Sequence, residues 1–122
     1  MAKGKVLIVD DEEDVLKVLG RRLTDNGLEV VKATNGRDAL ILAKNEKPDL
    51  VILDIIMPGM DGAEVANTLK NDPLTKNIPI LFLTCLITKG EEKSGNVISG
   101  SYFIAKPYNP SELLKEVRKH LG

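Results

Sequence analysis

The fold is decided by a stretch near the start of the chain that reads VLIVDD, residues 6–11. Four consecutive β-branched or aliphatic residues followed by two acidic ones are typical of a buried strand that ends at a polar surface. Similar apolar runs occupy residues 30–33, 50–53, 80–83 and 102–105. Because the apolarity of these runs is mostly continuous rather than alternating, they predict a parallel sheet that is covered on both faces.

Amphipathic segments separate the apolar runs and predict helices between successive strands. Apolar residues recur at i, i+3, i+4 spacing within residues 15–23 and 39–43, and again later in the chain. Asn35 and Asn109 stand where side-chain oxygens cap the first turn of a helix, and Pro110 suits the first helical position. Five strands and five crossovers predict an α/β fold, namely a (βα)5 doubly wound, five-stranded parallel sheet.

The fourth crossover differs in composition from the others. Residues 89–101 contain three glycines and three serines. Since glycine costs ~1 kcal/mol relative to alanine inside a helix, we expect any helix in this segment to be short or loosely held.

Length and composition limit the class of protein. The chain has 122 residues, so we expect a single domain over residues 1–122, with no DNA-binding or output domain. The net charge of -1 argues against a nucleic-acid-binding surface. The single cysteine, Cys85, excludes an internal disulfide and fits a reducing compartment. No apolar run approaches the ~18 residues that a membrane span needs, so a cytoplasmic location is predicted.

All the apolar runs but the second are expected to deliver a polar residue to the same edge of the sheet. Asp10 and Asp11 come after the first run and Asp54 after the third. Thr84 follows the fourth run, and Lys106 follows the fifth. Because the carboxyl ends of parallel strands meet at one edge of the sheet, we expect these side chains in a single crevice.

Three carboxylates in one crevice repel one another and therefore predict a bound cation. Hard oxygen ligands suit Mg²⁺, which takes one or two carboxylates and leaves room for waters and phosphate oxygens. Lys106 and Thr84 add a positive charge and a hydroxyl donor, so together they would hold a phosphate beside Asp54. Asp54 would then act as a nucleophile and carry an acyl phosphate.

These residues resemble the motifs of the receiver domain of two-component response regulators. The letters VDD at 9–11 are similar to the family's acidic pair, and DLVILDIIMPGMDG at 49–62 to its phosphoacceptor strand and following loop. The pair LT at 83–84 is similar to the family's hydroxyl-bearing strand end, and KPY at 106–108 to its Lys-Pro turn. The resemblance covers residues 5–120 and implies a flavodoxin-like, chemotaxis-regulator-like fold with strand order 2-1-3-4-5.

The resemblance implies a phosphoacceptor and a metal site. Asp54 looks like the phosphoacceptor. Asp10, Asp11 and Asp54 would bind Mg²⁺ through their carboxylates, and Ile56 would bind it through its backbone carbonyl.

The resemblance also implies a phosphoryl-binding and switch group. Thr84 would hydrogen-bond the transferred group, and Lys106 would pair with its oxygens. Phe103 stands where the family has its switch aromatic, and Pro107 would support the turn after Lys106.

The function that the resemblance implies is a signalling switch and not an enzyme. Asp54 would accept a phosphoryl group from the phosphohistidine of a sensor histidine kinase or of a histidine phosphotransfer protein. The surface around the fourth and fifth strands would then change and control an unknown downstream protein or output domain. Neither nucleic acid nor a membrane is an expected direct partner.

Two other functions remain open from the sequence. A receiver-like interaction module that signals without phosphorylation is favoured slightly by the unusual segment 89–101, although none of the motif residues is missing. A haloacid-dehalogenase-like phosphatase also uses an Asp nucleophile with Mg²⁺, but that family has a second Asp two residues later. Here that position is Ile56, so turnover of an external substrate is not expected.

In the family that these motifs resemble, the positions of Ile56 and Leu86 flank the phosphoryl group. The resemblance therefore implies that apolar side chains there hinder the approach of water, and a long-lived phosphorylated state is predicted. The change Ile56→Asn should accelerate loss of the phosphoryl group by about tenfold, or ~1.4 kcal/mol in the barrier. The decay of the phosphorylated mass with time measures this rate. A half-life of seconds that Ile56→Asn leaves unchanged would contradict the prediction.

Overall fold

A computed structural model of the protein describes residues 4–54, 59–60, 62–84, 97–98, 101–105 and 109–121. The strands within these residues are β1 (Lys5–Val9), β2 (Glu29–Ala33), β3 (Leu50–Leu53), β4 (Ile80–Thr84), β5 (Val97–Ile98) and β6 (Ser101–Ala105). The helices are α1 (Glu13–Asp25), α2 (Gly36–Glu46), α3 (Gly62–Asn71) and α4 (Pro110–Leu121).

The strands form one sheet in the order β2-β1-β3-β4-β6-β5. The first five strands of that order are parallel to their neighbours. Since β6 is the fifth apolar run of the sequence, the predicted doubly wound α/β sheet and its order 2-1-3-4-5 are confirmed.

The strand β5 was not predicted. It pairs antiparallel with β6 at the outer edge of the sheet, where Val97 faces Tyr102 and Ile98 faces Ser101. Only two residues, a Ser-Gly pair, separate the paired Ile98 and Ser101, and this composition is typical of a two-residue hairpin connection. The segment 89–101 was expected to hold at most a short or loosely held helix, and its residues 89–96 and 99–100 lie outside the described residues.

Successive residues of the central strands enter two different cores, one on each face of the sheet. One core joins β1, β3 and β4 to α2 and α3, and its residues on these three strands are Leu7, Val9, Val51, Leu53, Ile80 and Phe82. The other joins the same strands to α1 and α4, and its strand residues are Val6, Ile8, Leu50, Ile52, Leu81 and Leu83. This arrangement explains why the runs that form β1, β3 and β4 do not alternate, because both faces of these central strands are buried.

Side-chain caps fix the starts of two helices as the sequence predicted. The Asn35 side chain accepts a hydrogen bond from the backbone N–H of Asp38 at 2.8 Å, and the Asn109 side chain accepts one from Ser111 at 2.8 Å. Each cap satisfies a backbone donor that has no partner inside the helix. Among the described residues, no helix is long and apolar enough to cross a membrane.

His120 lies in the last turn of α4 with only 9% of its side chain exposed. Burial lowers the pKa of its imidazole, Glu116 at 3.8 Å opposes this effect, and the charge of Lys119 adds to it. The folded protein therefore holds His120 in its neutral form more strongly than the unfolded chain does.

We predict a pH-dependent contribution of His120 to stability. Because its pKa is lower in the folded state, the contribution is complete above the unfolded value of about 6.5 and is lost as the pH falls from there toward the folded pKa. Urea unfolding of wild type and His120→Gln at pH 7.5 and 5.5 measures it. The stability advantage of the wild type should shrink at the lower pH, and an advantage that stays constant or grows would contradict the prediction.

Candidate functional site

The parallel register of β1 brings three chain segments to one edge of the sheet. Val9 pairs with Ala33 of β2 and with Leu53 of β3. The ladder continues one residue further, since the Asp10 N–H donates to the Ala33 carbonyl at 3.2 Å and the Asp54 N–H donates to the Val9 carbonyl at 3.1 Å. Asp10 and Asp54 therefore leave neighbouring strands at the same level.

Three carboxylates meet at this edge. One side-chain oxygen from each of Asp10, Asp11 and Asp54 lies within 4.8 Å of the other two. Asp10 is 4% exposed and Asp54 is 9% exposed, while Asp11 faces solvent. At an effective dielectric constant near 20, two charges at this separation repel by roughly 3 kcal/mol. Since a cation among the oxygens removes this repulsion, the cluster favours cation binding.

The carboxylate of Asp10 is oriented by the start of α1. Its Oδ1 accepts a hydrogen bond from the backbone N–H of Glu12 at 2.9 Å. Glu12 precedes α1, and its carbonyl accepts the N–H groups of Val15 and Leu16. Asp10 is thus tied to a helix that packs on β1, which limits the positions its second oxygen can take.

An open acidic cavity of about 620 Å³ adjoins the carboxylates. Its lining residues are Asp11, Glu12, Glu13, Asp14 and Thr34. The volume is many times the roughly 30 Å³ of one water molecule, so a hydrated ion fits there. Its negative lining attracts cations and repels a phosphate, so a phosphate needs positive charge at the cluster before it can approach.

Thr34 is a residue that sequence analysis missed. It follows the last residue of β2 directly, just as Asp10 and Asp54 follow β1 and β3. The expectation that only four of the five runs deliver a polar residue to this edge was therefore wrong, because Thr34 lines the acidic cavity. Its position immediately after an apolar run is the signal that identifies it.

The backbone places two further candidate residues on neighbouring strands. Phe82 pairs with Leu53, so Thr84, two residues later, stands one level beyond Asp54. Thr84 also pairs with Ala105 of β6, and Phe103 pairs with Phe82.

The remaining candidates lie outside the described residues. They are Ile56, Lys106 and Pro107. Lys106 directly follows Ala105, the last residue of β6.

The donor set of the cluster fits Mg²⁺. All three groups offer carboxylate oxygens, which are hard ligands, and the adjoining cavity leaves room for ligating waters. Asp10, Asp11 and Asp54 are the described residues that would hold the ion.

Comparison with known proteins gives a consistent result. Residues 6–118 match the family model of the response regulator receiver domain. A probable transcriptional regulator, ycf27, from Porphyra purpurea is 39% identical over 119 residues, which are 98% of this chain and 48% of that protein. The chain thus spans about half the length of this relative.

Two solved structures share the fold along almost the whole chain. The chemotaxis protein CheY4 of Vibrio cholerae has a TM-score of 0.82 and 34% identity, with 98% of each chain covered. The signal receiver domain of a histidine kinase from Syntrophus aciditrophicus has a TM-score of 0.83 and 31% identity, with 97% of this chain and 89% of that chain covered.

Removal of one charge from the cluster should weaken cation binding. We expect Asp11→Asn to reduce the affinity for Mg²⁺ by about tenfold, or ~1.4 kcal/mol, since a charged ligand is lost. Calorimetric titration measures the affinity. Asp14→Asn is the matched control, because it removes the same charge from the same acidic cavity outside the three-carboxylate cluster. Equal effects of the two changes would show that general surface charge, and not the cluster, attracts the ion.

Proposed function

Because the chain belongs to the response regulator receiver domain family, we propose that it is a phosphorylation-dependent signalling switch with Asp54 as its phosphoacceptor. Receiver domains serve two-component phosphorelay signalling and are not classical enzymes. The observation that carries the proposal is the carboxylate cluster, in which Asp54 ends a buried strand beside Asp10 and Asp11. We propose that residues 1–122 form a single receiver domain.

The proposed phosphoryl donor is a phosphohistidine of a sensor kinase or of a histidine phosphotransfer protein. An oxygen of Asp54 would form a bond to phosphorus while the bond from phosphorus to the histidine nitrogen breaks. The products are an acyl phosphate on Asp54 and a free histidine on the donor. The likeness to the receiver domain of a histidine kinase supports a partner of this class.

The proposed metal ligands are the carboxylates of Asp10, Asp11 and Asp54 and the backbone carbonyl of Ile56. When bound, Mg²⁺ supplies positive charge that offsets the carboxylates and the phosphoryl oxygens. The hydrogen bond from Glu12 N–H to Asp10 keeps one ligand oriented before the ion arrives. The open side of the cluster, at Asp11, would admit the ion and the donor.

The proposed phosphoryl-binding residues are Thr84 and Lys106. Thr84 ends the strand next to β3, and Lys106 follows the strand next to that, so the topology supports their meeting beside Asp54. Lys106 would pair with the phosphoryl oxygens and Thr84 would donate a hydrogen bond to them. Phe103 would change its position with Thr84, and Pro107 would support the turn that carries Lys106.

A second candidate function is an interaction module that works without phosphorylation. The pairing of β5 with β6 favours this second function. The strand β5 extends the sheet beyond β6, beside the proposed switch surface around β4 and β6. Phosphorylation is the property that distinguishes the two functions.

The decisive experiment is intact-mass spectrometry after incubation with a small acyl-phosphate donor and Mg²⁺. We expect one phosphate adduct that hydroxylamine removes. Asp54→Asn and a chelator should each abolish the adduct, because one removes the nucleophile and the other removes the ion.

The matched control is Asp25→Asn, which removes an exposed carboxylate from the far end of α1. It should be phosphorylated at the wild-type rate. A folded wild-type protein that binds Mg²⁺ and forms no adduct would overturn the proposal in favour of the phosphorylation-independent module. An adduct that persists in Asp54→Asn would overturn the assignment of the residue.

A further inference from the structure

The first residue of α2 has no space for a side chain. Gly36 is buried, and a Cβ added there would lie 2.8 Å from the Cγ2 of Val65. It would also lie 3.0 Å from both the Cβ and the Cγ of Met60. The distance to Val65 is shorter than real Cβ atoms show, and the two distances to Met60 are tighter than nine in ten real Cβ contacts, so a larger residue must displace its neighbours.

The neighbours of Gly36 cannot move independently of the backbone. Val65 is fully buried in the core between the sheet, α2 and α3. The Cβ of Met60 is bonded directly to the main chain, so its displacement moves the backbone of Met60. On the other side, Asn35 holds the start of α2 through two hydrogen bonds with Asp38, at 2.8 and 3.0 Å.

The contact between Gly36 and Met60 joins the segment after β2 to the segment after β3. Both segments begin at the edge of the sheet where the carboxylate cluster lies. Gly36 is three residues after Ala33, the last residue of β2. Met60 is six residues after Asp54, on the connection between β3 and α3. The chain that leaves Asp54 therefore reaches, within six residues, a point that is packed against α2.

We infer that Gly36 is a positioning residue for the carboxylate cluster. Its lack of a side chain lets Met60 pack on the start of α2, and this contact fixes the main chain at Met60, six residues after Asp54. The Asp54 oxygen is thereby kept within reach of the ion that Asp10 and Asp11 also bind. The inference rests on the proposed function, because it concerns the geometry of that same site.

The change Gly36→Ala tests the inference, with Gly20→Ala as its matched control. Gly20 is also a buried helical glycine, but a Cβ there would meet mainly the Cε of Lys32, at 2.7 Å. Lys32 is exposed, so the end of its flexible side chain swings away at little cost. Both variants exchange glycine for alanine within a helix, and only Gly36→Ala presses on Met60.

Three measurements separate a positioning role from a structural one. They are the Mg²⁺ affinity by calorimetry, the rate of phosphorylation by a small acyl-phosphate donor, and the stability toward urea. We expect Gly36→Ala to lose at least about tenfold in affinity and in rate, since misplacement by 1 Å costs up to about a hundredfold. Gly20→Ala should stay within about twofold of wild type in both.

A second pair of variants covers the case in which Gly36→Ala does not fold. Met60→Ala and Ile78→Ala each shorten a partly buried side chain that packs on the same core. Ile78 precedes β4 and so lies toward the opposite edge of the sheet. We expect Met60→Ala to weaken Mg²⁺ binding about threefold or more and Ile78→Ala to leave it unchanged, at similar losses of stability.

The outcomes distinguish the inference from the proposed function. A folded Gly36→Ala protein with wild-type affinity and rate overturns the inference while the proposed function stands. If that variant does not fold, equal affinities of Met60→Ala and Ile78→Ala overturn it. A wild-type protein that binds no Mg²⁺ and accepts no phosphoryl group overturns the proposed function, and the inference with it.

Discussion

Val9 pairs with Ala33 on one side and with Leu53 on the other, and the position of each buried carboxylate follows from this register. A slip of one residue in either pairing would move a neighbouring strand by about 3.3 Å and turn its side chains to the opposite face. The burial of β1 on both faces opposes such a slip, because Val6 and Ile8 fill one core while Leu7 and Val9 fill the other. Packing of the core thus determines the positions of Asp10 and Asp54 at the carboxyl ends of β1 and β3.

Charged groups are arranged in opposite ways at the amino and carboxyl ends of the strands. At the amino edge the Lys5 ammonium lies 3.4 Å from Glu29 and 3.2 Å from Glu46, and its hydrogen bond to Glu46 is the main cause of its raised pKa. At the carboxyl edge, Asp10 and Asp54 are buried close together. Like charges at this distance repel each other and lower the free energy of unfolding of the metal-free protein. A cation that binds between them removes part of this repulsion, which strengthens its own binding and stabilises the folded state. Unlike the pairs at Lys5, this arrangement is explained by ligand binding and not by stability.

The sequence predicted those parts of the molecule that depend on local pattern. The runs at 50–53 and 80–83 match β3 and β4 to within one residue, because continuous apolarity reports burial directly. The strand β5 was missed because two residues are too short to form a pattern, and its Ser-Gly neighbours indicated only a poor helix. The steric role of Gly36 could not be found either, since it depends on Met60, which is 24 positions away in sequence and adjacent only in the folded chain.

The antiparallel pair of β5 and β6 at the lateral edge of the sheet also affects association between copies of the protein. An outer strand normally offers unused backbone donors and acceptors to any passing extended chain. Val97 and Ile98 occupy part of that row along β6. At the other end, the outermost strand β2 presents the exposed charges of Glu29 and Lys32. Lateral addition of another strand is thus disfavoured along part of β6 by its pairing with β5, and at β2 by the hydrated charges of Glu29 and Lys32.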